Sequence, residues 1–184
     1  LFSFAVLNAL IYQLPLYRFA VRELAPIGVS ALLTLLTLFV LVMFVSLLLI
    51  GLLTFISHHL LKPVAMFIVL GNALALYFMQ TYQVILDKAM MGNVFNTNTA
   101  EAGSYFHSSL LLHVLLFGVL PLLLIARIKL RPTTRLRLGG ALLVSLLIGA
   151  GGLYANASSW LWIDKHARQL GGMIMPWSYV INAA

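Results

Sequence analysis

The chain has 184 residues, of which 62% are hydrophobic and 8% charged, with a mean hydropathy of +1.05; these values exclude an ordinary soluble domain and mark an integral membrane protein. Eleven Lys and Arg against four Asp and Glu leave a formal charge of +7, which favours anionic lipid head groups or phosphate-bearing ligands and, at this hydropathy, makes nucleic acid a poor partner. Cysteine is absent, which excludes disulfides, thiolate nucleophiles and cysteine-ligated metals in this segment.

A bilayer core of about 30 Å needs roughly 20 apolar residues of helix, so charge-free runs locate the spans. Leu1 already lies in an apolar stretch, with no initiator Met and no basic leader, so the sequence reads as a fragment whose first helix is cut short. Five spans are expected, at about 1–17, 27–57, 64–86, 106–126 and 138–157. The second run is longer than the hydrocarbon requires, which implies tilt or projection beyond the membrane. Continuous apolar runs, without alternation at every second residue, exclude a spanning β-barrel. The expected fold class is therefore an all-α integral membrane protein. It comprises a five-helix membrane domain over 1–157, short interfacial helices on the periplasmic side in 87–105, and an interfacial linker over 158–184.

Basic residues set the orientation. The connections between the second and third spans and between the fourth and fifth carry Lys62, Arg127, Lys129, Arg131, Arg135 and Arg137 and no acid. Those loops are expected to face the cytoplasm. The other side mixes Arg18, Arg22, Lys88, Lys165 and Arg168 with the four acids Glu23, Asp87, Glu101 and Asp164. This places the C-terminus outside, in the periplasm of a bacterium. Small residues recur at helical spacing at Gly71 and Ala75, and again at Ala141, Ser145 and Gly149. Such stripes favour close helix contact, with Asn72 as an interhelical hydrogen-bonding residue.

The segment after the third span, 87–101, is polar yet keeps Met90, Met91, Val94 and Phe95 at helix-like intervals. A short amphipathic helix at the outer interface is expected there. Asn93, Thr97 and Glu101 follow four apart; on a continuous helix they drift about 40° per step and share one face. An amide, a hydroxyl and a carboxylate together suit the ammonium and phosphate ester of a lipid head group. A capping role competes, because Asn98 followed three residues later by Glu101 has the form of a helix-capping pair.

No metal site is expected within the chain. His58 and His59 are adjacent, His107 and His113 lie on or near the fourth span and His166 is outside it; none forms a closely spaced ligand set. No Ser or Thr has an identifiable base and orienter either, so no catalytic residue is assigned. In the tail, Trp160, Trp162, Trp177 and Tyr179 beside Asp164, Lys165, His166 and Arg168 form an interfacial aromatic and charged belt, and Pro176 turns the chain.

The order of features resembles the membrane domain of bacterial phosphoethanolamine transferases acting on lipid A, a family that includes the mobile colistin (polymyxin) resistance enzymes. The likeness rests on Tyr77-Phe78-Met79-Gln80-Thr81-Tyr82, on Asp87 to Met91, and on Asn93-Val94-Phe95-Asn96-Thr97-Asn98-Thr99-Ala100-Glu101. Gly118-Val119-Leu120-Pro121, the basic run after it, and Tyr154-Ala155 before an aromatic tail add to it. The resemblance implies a transferase of the bacterial inner membrane that moves phosphoethanolamine from phosphatidylethanolamine to lipid A. It implies a zinc-binding periplasmic domain with a threonine nucleophile, absent from this chain, toward which 158–184 leads. It also implies that Asn93, Thr97 and Glu101 hold the donor head group. The fragment alone is then expected to be inactive. Two other readings stand beside it: a non-catalytic membrane subunit or transporter component packing through the Gly71 and Ala141 faces, and a transferase of a different head group. Against transport, the runs lack Asp, Glu, Lys and Arg, and the ionisable residue well inside them is His113.

Overall fold

The computed structural model describes residues 2–26, 28–57, 59–98, 103, 105–130 and 134–183. Among them every regular element is helical. Four helices are long and apolar enough to cross a membrane, and a bent pair, Phe4–Tyr12 with Leu14–Glu23 at 50°, brings the number to five when counted as one span. Contacts divide the chain into two units, Leu1–Leu61 with Leu130–Ala167 and Lys62–Lys129 with Arg168–Ala184.

In the first unit, α1 (Phe2–Leu7) widens into a π turn over Asn8–Tyr12, and α2 (Leu14–Glu23) follows after the bend. Pro15 explains the break, because it has no N–H for the carbonyl of Ile11 and its ring crowds the preceding turn. The first helix therefore does not stop at Arg18, as charge alone suggested, but carries Arg18 and Arg22 to Glu23. Its inner face is Ala5, Ala9, Tyr12, Leu16 and Ala20, all fully buried at helical spacing. Asn8 donates to the Ser46 hydroxyl at 2.9 Å inside this contact, so its burial leaves no unpaired amide to pay for.

Helix α3 (Val29–Ile56) has 28 residues, or about 42 Å of helix, longer than the hydrocarbon core as its charge-free run implied. It packs along α7 (Arg135–Ala155). On α7 the contact runs through Leu142, Gly149 and Gly152. A Cβ at Gly149 would lie 2.8 Å from Phe44 Cγ, Gly51 faces Leu142, and Gly152 faces Val40. Of the stripe expected from sequence, Gly149 lies in this contact while Ala141 is exposed. Leu142 takes its place one residue on.

Beyond α7 comes α8 (Ser158–Lys165). Asn156 donates to Thr37 Oγ1 at 2.8 Å and to Ser159 Oγ at 2.6 Å, and Thr34 and Ser159 share a hydrogen bond of 2.9 Å. This polar knot ties α8 to α3. The Trp162 ring lies 4.5 Å from that of His166, tilted by 34°, and His166 Nε2 lies 3.7 Å from Glu23. Trp162 is thus a packing residue of the unit.

The second unit holds α4 (Leu61–Tyr82), α5 (Lys88–Asn96) and α6 (Ser108–Arg127), with the short α9 (Ala167–Gly171) and α10 (Trp177–Asn182). Gly118 admits Ala73 and Leu70 of α4 at contacts of 3.3 Å from a would-be Cβ, so α4 and α6 approach closely. Helix α6 contains a second π turn, Leu115–Val119, again just before a proline, Pro121. Lys62 donates to the Ala126 carbonyl at 2.8 Å and satisfies one of the carbonyls left open at the end of α6.

Candidate lipid head-group site

The residues singled out from the sequence lie after the end of α4. Gln83 adopts φ 54°, the left-handed region that stops a helix and that a residue with a Cβ enters at a cost of about 1 kcal/mol. The run expected to continue as span to Leu86 therefore ends at Tyr82. The connector then runs extended beside the chain's last described segment. Leu86 N–H donates to the Gly172 carbonyl at 2.9 Å, and Asn182 donates to the Leu86 carbonyl at 2.7 Å. Both backbone groups of Leu86 are satisfied by residues more than eighty positions away.

Asp87 starts α5. Its Oδ1 accepts from Met90 N–H at 3.0 Å as the N-cap, and its Oδ2 accepts from Arg168 Nη2 at 3.2 Å. The Met90 N–H first, and the Arg168 guanidinium second, hold its carboxyl below the ordinary carboxylate range. On α5, Met91 faces inward while Val94 and Phe95 are exposed, the amphipathic pattern expected of an interfacial helix.

Of the three residues singled out from the sequence, Asn93 is exposed on the last turn of α5. Thr97 lies just past the helix as its C-cap, in extended conformation, φ −65° and ψ 124°. A face continuing through α5 to Thr97 is therefore not formed; the chain breaks at Thr97. The Thr97 hydroxyl donates to the main-chain carbonyl of Asn93 at 2.8 Å. That commits the hydroxyl proton and leaves the oxygen's lone pairs as acceptors. Glu101 lies outside the described residues, and with it the Asn98 and Glu101 capping pair.

Sequence reasoning missed an aromatic cluster in the same unit. Phe78 and Tyr82 stack at 5.6 Å, and Tyr105 meets each of them edge-on at 5.7 Å. Tyr77 stands edge-on to Phe78 at 5.7 Å and shares a hydrogen bond of 3.1 Å with Ser109. The i, i+4 spacing of Phe78 and Tyr82 was the available signal. Tyr82 is exposed. Aromatic faces of this kind attract ammonium groups.

Among the described residues no three His, Asp or Glu side chains come together.

The family described as phosphoethanolamine transferase EptA/EptB matches residues 42–184. The chain is 40% identical over 128 residues to the phosphoethanolamine transferase EptA of Helicobacter pylori, covering 70% of this chain and 25% of that protein. It is 30% identical over 142 residues to the phosphatidylethanolamine transferase Mcr-1 of Escherichia coli, covering 73% and 26%. The chain thus spans about a quarter of the length of these curated relatives. Among solved structures it is similar to the integral membrane lipooligosaccharide phosphoethanolamine transferase A of Neisseria meningitidis, with a TM-score of 0.84 at 19% identity, over 97% of this chain and 34% of that one. At that identity the likeness establishes the fold.

Proposed function

The chain belongs to the phosphoethanolamine transferase EptA/EptB family, and from that membership we propose that it is the membrane part of such an enzyme, anchoring it in the bilayer and helping to hold phosphatidylethanolamine while its head group is transferred to lipid A phosphates. The observation that carries the donor-site reading is the turn at Thr97. There the Thr97 hydroxyl, back-bonded to the Asn93 main-chain carbonyl, keeps lone pairs free, and Asn93 is exposed on the preceding turn of the helix. The Asn93 amide can donate to a phosphate oxygen, and the Thr97 oxygen can accept from an ammonium. Asp87, already bound to Arg168 and Met90, is not the free carboxylate for that ammonium. That role falls to Glu101, whose charge pairs well with ethanolamine in a partly desolvated interface. The Phe78, Tyr82 and Tyr105 rings supply π faces for the same cation.

The transfer chemistry belongs to groups outside these 184 residues, including the zinc and threonine nucleophile that the family likeness implies. No step is routed through a metal held by this chain. The acid-free basic loops around Lys62 and Arg127 support a cytoplasmic placement for both, and hence an inner-membrane protein with a periplasmic C-terminus.

In the full-length enzyme, Glu101→Ala and Asn93→Ala are expected to lower phosphoethanolamine transfer per folded molecule more than they lower expression. Unchanged activity per molecule would overturn the donor-site reading. The 184-residue chain alone is expected to transfer nothing even with zinc supplied; turnover would contradict the division of labour.

A further inference from the structure

The ion pair between Arg168 and Asp87 is solvent-facing on the arginine side: the Arg168 side chain is 82% exposed and that of Asp87 20%. An exposed pair contributes little to stability by itself. Its position is more informative than its strength. One oxygen of Asp87 holds the first turn of α5 through Met90, and the other holds Arg168. A single carboxylate thus joins the helix that carries Asn93 to the segment that begins at Arg168.

That segment is fastened to the connector at further points. Gly172 accepts from Leu86 N–H at 2.9 Å, and Asn182 donates to the Leu86 carbonyl at 2.7 Å. A Cβ at Gly172 would stand 3.2 Å from Ile85 Cβ and 3.6 Å from Asp87 N, so glycine is what allows the two backbones this close. Farther along, Tyr179 donates to Asn72 Oδ1 of α4 at 2.8 Å, and α10 packs on α5. Residues 168–182 therefore form a strap that crosses the start of α5 and is anchored on α4. Where α5 points, and so where Asn93 and Thr97 stand, depends on this strap.

We infer that Arg168, acting through Asp87, is a positioning residue that sets the orientation of α5 for the donor head group. The inference rests on the donor-site reading above, and its test separates the two. In the full-length enzyme, Arg168→Gln and Asp87→Asn are compared with the wild type, with Arg168→Lys, with the double variant and with Asn93→Ala. Asparagine is itself a good N-cap, so Asp87→Asn weakens the latch and keeps the helix start.

The expected result is a rise in the KM for phosphatidylethanolamine of about three-fold to ten-fold with little change in kcat, most of it recovered by Arg168→Lys, and no further loss in the double variant. Hydrogen exchange in 88–97 should quicken in Arg168→Gln while exchange in α4 stays as it was. Unchanged donor KM and unchanged α5 exchange would overturn the latch. So would a loss of kcat and folded protein together, or multiplicative effects in the double variant. If Asn93→Ala raises the donor KM and the latch variants do not, the latch alone fails. If none of them raises it, the donor-site reading fails with it. A rise in the latch variants without one in Asn93→Ala upholds the latch and moves the donor contact off Asn93.

Discussion

The Tyr179 hydroxyl donates to Asn72 Oδ1 at 2.8 Å through a notch in α4 that exists because residue 71 is glycine. A Cβ at Gly71 would lie 3.0 Å from that hydroxyl and 3.2 Å from the ring carbon bearing it. Gly71 and Asn72 thus act as one socket. Its occupant is a short helix near the C-terminus, not another long span.

Tyr179→Phe removes the hydrogen bond and is expected to destabilise the protein by about 0.5–1.5 kcal/mol. Gly71→Ala pushes the ring out of the same socket. Because both act on one contact, their effects on the unfolding free energy of the purified protein in detergent should be less than additive. Full additivity would mean that the two residues stabilise the protein independently.

Which parts of this arrangement were legible beforehand follows from the range of the interactions involved. The long helices were visible because their charge-free runs are set by the membrane, a local constraint. The end of α4 at Tyr82 was not, since Ile85 and Leu86 are as apolar as a span and the break depends on the backbone of Gln83 and on Gly172 across the fold. Asn72 was legible as an interior hydrogen-bonding residue, but its partner Tyr179 lies 107 positions away. The Asp87 and Arg168 pair, 81 positions apart, left no trace in spacing. At the candidate site the expected continuous face is interrupted, because α5 ends and Thr97 caps it, its hydroxyl on the Asn93 main-chain carbonyl.

The Asp87 carboxyl titrates below the ordinary carboxylate range in the folded state. Its contribution to stability is therefore fully present above the unfolded value of about 4 and is lost as pH falls through the lower folded value. Neighbouring charges are Arg168, which pairs with it, and the adjacent exposed Lys88. Hydrogen-exchange protection of α5 should stay flat from neutral pH to about pH 5 and fall in stronger acid. In Asp87→Asn that acid-dependent component should vanish.

In the first unit, Gly149 lies against Phe44, with 2.8 Å from a would-be Cβ to the ring, whereas Gly151 has nothing within 4 Å. Gly149→Ala is expected to lower stability by about 1–3 kcal/mol through overpacking. Gly151→Ala should be tolerated. Thermal unfolding of the two variants in the same detergent distinguishes the buried seam from the exposed face; equal behaviour would contradict the close approach of α3 and α7.

Tyr82 offers an exposed ring within the aromatic cluster. If that ring helps to hold the donor ammonium, Tyr82→Leu should weaken donor binding by about 0.5–2 kcal/mol. Tyr82→Phe should keep most of it. A donor KM that rises with both substitutions alike would assign the contribution to the hydroxyl instead of the π face, and no change would remove the cluster from the site.

The central claim is that the turn joining Asn93 and Thr97 recognises the phosphatidylethanolamine head group. The most direct measurement is lipid retention by the purified protein in detergent, read by native mass spectrometry with phosphatidylethanolamine and phosphatidylglycerol of matched chains supplied together. The account predicts preferential retention of phosphatidylethanolamine, and loss of that preference in Asn93→Ala/Thr97→Val at unchanged thermal stability. Equal retention of the two lipids by the wild type, or a double variant that keeps the preference, would contradict it.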